Sequence, residues 1–192
     1  MRERTHEPYP ALRGRWLLER AIGFALTSVQ AVTPEMLQRR TPCASWDLEM
    51  LLLHLRDSLS ALQEGISPGR VALTSVQPGR EEHPVSAVRV SAIRLLRASG
   101  ALGQVEIGDR RMDGELMAAA GAVEVAVHGW DIAQASGERR PVPPDLAEEL
   151  LHVCPFVLPE SRPPLFADPV DAGPGASAGD RLVARLGRRP RR

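Results

Sequence analysis

Residues 121–133 read GAVEVAVHGWDIA, and this stretch decides how the rest of the chain is read. Glu124, His128 and Asp131 stand at i, i+4 and i+7, so their side chains share one stripe of a helix. Ala118, Ala119, Ala120, Val123, Val125, Val127, Trp130 and Ile132 surround them, which makes the helix apolar on most sides and places it inside a fold. A carboxylate and an imidazole in such surroundings cost several kcal/mol unless something pairs with them. A metal ion is the partner that would hold both at once, and a hydrogen-bonded core pair is the simpler alternative.

Outward from this stretch, apolar spacing predicts four long helices. The first spans 10–31, with Leu12, Trp16, Leu17, Ala21, Phe24, Ala25 and Val29 on its inner side. The second spans 46–65, capped by Ser45 and closed by Gly65 and Pro68, with Asp47 and Glu49 favouring its first turn. The third spans 84–99 and ends before Gly100. The fourth spans 113–136, with Asp113 as its cap and Gly137 as its stop. No alternating strand pattern accompanies them, so the expected fold is all-α, a four-helix bundle. Residues 1–140 form that bundle. Residues 141–192 are its extension, with a helix over 144–153, a stretch rich in Pro, Gly, Ala and Ser over 155–179, a short helix over 179–186 and the tail GRRPRR.

The chain has 192 residues, 43% of them hydrophobic, enough for one sizeable core. Its 24 basic side chains balance 24 acidic ones, and a net charge of zero gives no electrostatic case for nucleic acid or a membrane surface as partner. All the basic residues are arginine. The lack of lysine excludes Schiff-base chemistry, pyridoxal phosphate and a P-loop lysine. The N-terminal stretch MRERTHEPYPALRGRW has no apolar segment behind its charges, no apolar run reaches the ~20 residues of a membrane span, and Cys43 and Cys154 lie far apart. The expected setting is the cytoplasm, with reduced thiols.

Spacing alone does not make Glu124 and His128 a site, because Glu148 and His152 repeat it in a short amphipathic helix where a solvated pair is expected. His54, set among Leu51, Leu52, Leu53 and Leu55, is either a core histidine or a third ligand from the second helix. In a bundle, metal sites are built from inward side chains on different helices. His54, Glu124 and His128 then make a 2-His-1-carboxylate set with open positions, suited to catalytic zinc or non-haem iron. Asp131 is either an acceptor orienting His128 or a surface acid near a helix end. Asp47 reads best as a helix-capping acid. Cys43 reads best as a small buried residue, although its place before a helix could lower its pKa. Trp46 and Trp130 either pack in the core or line a pocket. The terminal arginines read as a solvated arm. There is no glycine-rich nucleotide loop, no GxSxG elbow and no zinc-finger cysteine pattern.

At TPCASWDLEMLLLHL and VEVAVHGWDIAQASG the chain resembles the DinB-like metal-binding bundles, specifically the N-terminal domain of mycothiol-dependent maleylpyruvate isomerases and related actinobacterial proteins of unassigned function. The closing LFADPV…DRLVARLGRRP resembles the end of that unassigned subgroup. The resemblance implies His54, Glu124 and His128 as ligands of a divalent metal, usually zinc, and mycothiol or a similar small thiol as co-substrate. It implies a thiol-dependent transferase or isomerase acting on a small electrophile. Maleylpyruvate isomerases carry a further C-terminal domain where only a short tail follows here, so maleylpyruvate is not the expected substrate. A non-catalytic metal- or ligand-binding bundle and a metal-assisted hydrolase are the competing expectations.

Overall fold

The computed structural model describes residues 12–43, 46–67, 69–71, 83–98, 102–158 and 167–190. They form six α-helices: α1 (Gly14–Val29), α2 (Leu48–Ile66), α3 (Pro84–Arg97), α4 (Gly114–Ser136), α5 (Pro144–Val157) and α6 (Ala178–Arg185). A 3-10 turn (Pro34–Met36) lies between α1 and α2.

Local chemistry sets most of the ends. The Asp113 carboxylate accepts the Leu116 N–H at the start of α4, and Gly137 ends that helix at φ 88°, a left-handed conformation that favours glycine. For α2 the observed cap is Asp47, which accepts the Met50 N–H at 2.9 Å. The expected caps Ser45, Pro68 and Gly100 lie outside the described residues. Gly65 does not close α2. It sits inside the helix because a Cβ there would come within 2.6 Å of the Met117 side chain, so its smallness serves packing. The helix predicted over 144–153 runs on to Val157 and carries Pro155 within it.

One expectation fails. Three short strands, β1 (Arg70–Val71), β2 (Gln104–Ile107) and β3 (Arg110–Asp113), form a sheet in that order, β1 parallel and β3 antiparallel to β2. Gly108, at φ 61°, turns the β2–β3 hairpin, and Arg70 and Arg111 both pair with Glu106. Only Val105 of this sheet is buried, so four-residue strands with one core side chain give almost no hydrophobic alternation to read. The fold is mostly helical, with this small sheet at one side.

α4 is the central element. By length and composition it could cross a membrane, yet most of it is buried within the fold. α1 lies parallel to it at close range. A Cβ on Gly14 would overlap the Glu115 carbonyl at the start of α4, and a Cβ on Gly129 would lie 2.9 Å from Ala25 Cα toward the other end. α2 runs antiparallel on another face. Leu62 meets Gly121, Ser58 meets Glu124, and His54 meets Glu124 and His128. α3 packs on α2, α5 on α4 and α1, and α6 on α5.

The close approach of α1 and α4 separates two glycines. Gly23 has open space around its Cα, so Gly23→Ala gains about 0.5–1 kcal/mol of helix propensity. Gly129→Ala drives its new methyl against the Ala25 backbone, an overpacking cost of about 1–3 kcal/mol that exceeds the same gain. Urea unfolding should move the two midpoints in opposite directions, upward for Gly23→Ala and downward for Gly129→Ala.

Candidate metal centre

Antiparallel pairing of α2 and α4 matches steps of four residues in opposite directions, so His54 and Ser58 meet Glu124 and His128 across one seam. His54 Nε2 lies 2.9 Å from Glu124 Oε1, and the Ser58 hydroxyl donates to the same oxygen at 2.7 Å. One donor atom from each of His54, Glu124 and His128 lies within 4.8 Å of the others. The imidazoles meet edge to face with centroids 5.1 Å apart. The Trp46 ring covers both of them, at 4.4 Å from His54 and 6.0 Å from His128.

His128 is buried, whereas His54 and Glu124 are each about a third exposed at their side chains (35% and 34%). The donors therefore face solvent from one side. Two imidazoles and a carboxylate in a half-open position suit a divalent first-row cation.

Burial by itself raises the Glu124 pKa. The hydrogen bond from His54, the charge of His128 and the Ser58 hydroxyl outweigh it and hold the carboxyl at about 2. Glu124 is thus an anion held by two hydrogen-bond donors, His54 and Ser58, beside the charge of His128.

The Asp131 carboxylate is fully buried, and its Oδ2 lies 3.1 Å from His128 Nδ1. That contact occupies Nδ1 and leaves Nε2 of His128 to the centre. Arg188 closes the arrangement from beyond α6. Its Nη2 donates to Asp131 Oδ2 at 2.9 Å, its Nε lies 3.3 and 3.4 Å from the two carboxylate oxygens, and its Nη1 donates to the Leu186 carbonyl at 2.8 Å. Burial would lower the Arg188 pKa, and the Asp131 charge outweighs it and raises it. The terminal arginines are therefore not all a solvated arm. Arg188 is an internal counter-ion that the sequence reading missed. Two signals for it existed. A buried Asp131 in a chain without lysine requires an arginine, and LGR after an amphipathic helix is the start of a Schellman turn.

Ser58 was also missed, although it stands one turn beyond His54 on the same face of α2. Trp130 belongs elsewhere. It lines a groove of about 390 Å³ with Arg40, Thr41, Pro42, Gln134, Gly187 and Arg189, and none of the three candidate ligands lines that groove. Asp47 caps α2. Burial raises the Cys43 thiol; the Arg188 charge works against that rise and Asp131 adds to it, so Cys43 is not an activated nucleophile. Glu148 pairs with Arg181 at 2.7 Å and His152 is exposed, as a surface reading of that spacing expects.

The lowered pKa of Glu124 has a sign that can be checked in metal-free protein. A carboxyl that binds its proton less readily when folded adds stability above its unfolded pKa of about 4.3. That stability disappears as pH falls toward the folded value of about 2. The urea midpoint of wild type should exceed that of Glu124→Gln at pH 6 in chelator, and the gap should close between about pH 4.5 and 2. A gap independent of pH would exclude the ionised carboxylate as its source.

Comparison with known proteins assigns the chain to a family. Across 88% of its length the chain is 27% identical to the uncharacterized protein Rv0738 of Mycobacterium tuberculosis strain H37Rv, covering 92% of that protein. It stands at the same identity and coverage to the uncharacterized protein MT0763 of strain CDC 1551. The profile of the mycothiol maleylpyruvate isomerase N-terminal domain matches residues 18–133, a span that begins in α1 and contains His54, Glu124, His128 and Asp131. The chain belongs to the mycothiol maleylpyruvate isomerase N-terminal domain family.

Proposed function

We propose that this protein is a metal-dependent enzyme that activates a small thiol, of the mycothiol kind, for transfer to a small electrophile or for its isomerisation. The observation that carries the proposal is the meeting of His54, Glu124 and His128 from two helices, donor atoms within 4.8 Å, on a side open to solvent. Family membership supports the thiol. In this reading α1 to α4 are a four-helix bundle holding the centre, residues 141–192 are its extension, and the metal is zinc. A divalent cation there would supply the positive charge that lets a thiol, or water, lose its proton near neutral pH.

The chain's own residues have separate tasks. Glu124 brings a negative charge already free of its proton, and Ser58 and His54 fix where its Oε1 points. Asp131 holds His128 through Nδ1. Trp46 presents a flat apolar wall beside the donors, which keeps water from that side and gives an apolar part of a substrate a surface to rest on. Cys43, its pKa raised, leaves the nucleophile to be supplied from outside. The partners are then a small molecule and a thiol, without nucleic acid or membrane. The setting is the cytoplasm, where Cys43 and Cys154, neither of them in a disulfide, stay reduced.

Elemental analysis of the purified protein should find close to one equivalent of zinc, falling to background in His128→Ala. Mixing the zinc-loaded protein with mycothiol and an alkylating electrophile should form the thiol adduct faster than protein-free solution does. Zinc without any acceleration would favour a non-catalytic metal-binding bundle. Acceleration of ester or amide hydrolysis without thiol would favour a hydrolase. No metal in either protein would remove the site itself.

A further inference from the structure

Arg188 follows α6 directly, and the backbone turns to aim it inward. The Arg188 N–H bonds to the Val183 carbonyl and the Gly187 N–H to that of Ala184, both at 3.0 Å, closing α6 in a Schellman turn. Gly187 takes φ 82°, and a Cβ there would lie 2.4 Å from Ala167 Cβ, so glycine is required on both counts. The turn sends the Arg188 side chain to Asp131 on α4, where it is only 9% exposed.

An aspartate with no access to water stays ionised only beside a cation. Arg188 is that cation, and Asp131 Oδ2 receives both the guanidinium and the His128 ring. Two consecutive hydrogen bonds therefore join the segment after α6 to the donor set. If Arg188 leaves, the Asp131 carboxylate becomes a buried uncompensated charge, and nothing then holds in place the acceptor that fixes the ring of His128.

We propose that Arg188 is a positioning residue of the metal centre, and that docking of residues 187–190 and binding of a divalent cation by His54, Glu124 and His128 favour one another. This rests on the metal-site reading above. Coupling between two binding events is reciprocal: the factor by which docking tightens metal binding equals the factor by which metal tightens docking. An ion pair that served the fold alone would stabilise the protein and leave metal affinity unchanged.

Zn2+ affinity is measured by competition with a chromophoric chelator on wild type, Arg188→Ala and the double variant Asp131→Asn/Arg188→Met. Amide exchange of residues 186–189 is followed in wild type with and without Zn2+. The double variant removes both charges and so leaves no stranded ion, which separates positioning from stability if the single variant does not fold. We expect Zn2+ affinity about 10- to 100-fold weaker in the double variant, as for other residues behind a metal ligand, with slower exchange of 186–189 in the Zn2+ form of wild type. Affinity within twofold of wild type in the double variant overturns the coupling while leaving the metal centre standing. Failure of wild type to take up Zn2+ overturns the metal centre and the coupling together.

Discussion

Two carboxylates stand on an apolar helix, and burial makes each depend on partners within hydrogen-bond reach: Asp131 wholly, because no water reaches it, and Glu124 in part. Glu124 and Asp131 lie on α4, the most buried helix, and the polar groups around them answer this demand. α2 supplies His54 and Ser58 to Glu124. Asp131 draws His128 from its own helix and Arg188 from beyond α6. The cluster of His54, Ser58 and Glu124 and the docking of the terminal segment are thus two solutions to one electrostatic problem, and His128 touches both.

Much of this was legible in the sequence. Helices with long apolar periods declare themselves, and the predicted bounds of α1, α3 and α6 lie within a few residues of the observed ones. Asp113 and Gly137 bracket α4 as their chemistry requires. His54 was legible because a histidine inside a run of leucines has to be explained by a partner. What was illegible has physical causes. The β2–β3 hairpin buries a single side chain and therefore leaves no period. Gly65 has the composition of a helix stop but owes its place to Met117, a contact 52 residues away in no sequence window. Arg188 lies in a run of arginines whose composition says solvent, and the burial of Asp131 and the Gly187 turn before it distinguish it from Arg189 beside it.

Glu124 shows how far a local reading can go. Its spacing to His128 is repeated by Glu148 and His152, so spacing carries little information. Environment separates the two pairs. Glu148 meets Arg181 in solvent, where an ion pair contributes little, whereas Glu124 collects three favourable groups against the cost of burial. The difference lies in the neighbouring helix, which is a property of tertiary structure.

The pairing of Leu62 with Gly121, Ser58 with Glu124 and His54 with His128 has a consequence for how such a centre tolerates change. Nothing in it depends on loop length; it depends on helical phase. Inserting one residue into α2 between Leu48 and His54 would leave the three rungs intact. The same insertion between His54 and Ser58 would turn one relative to the other by about 100° and take one of them off the seam. The stretches from His54 to Leu62 and from Gly121 to His128 are therefore fixed in count, while connecting segments other than those that carry Trp46 and Arg188 can lengthen or shorten.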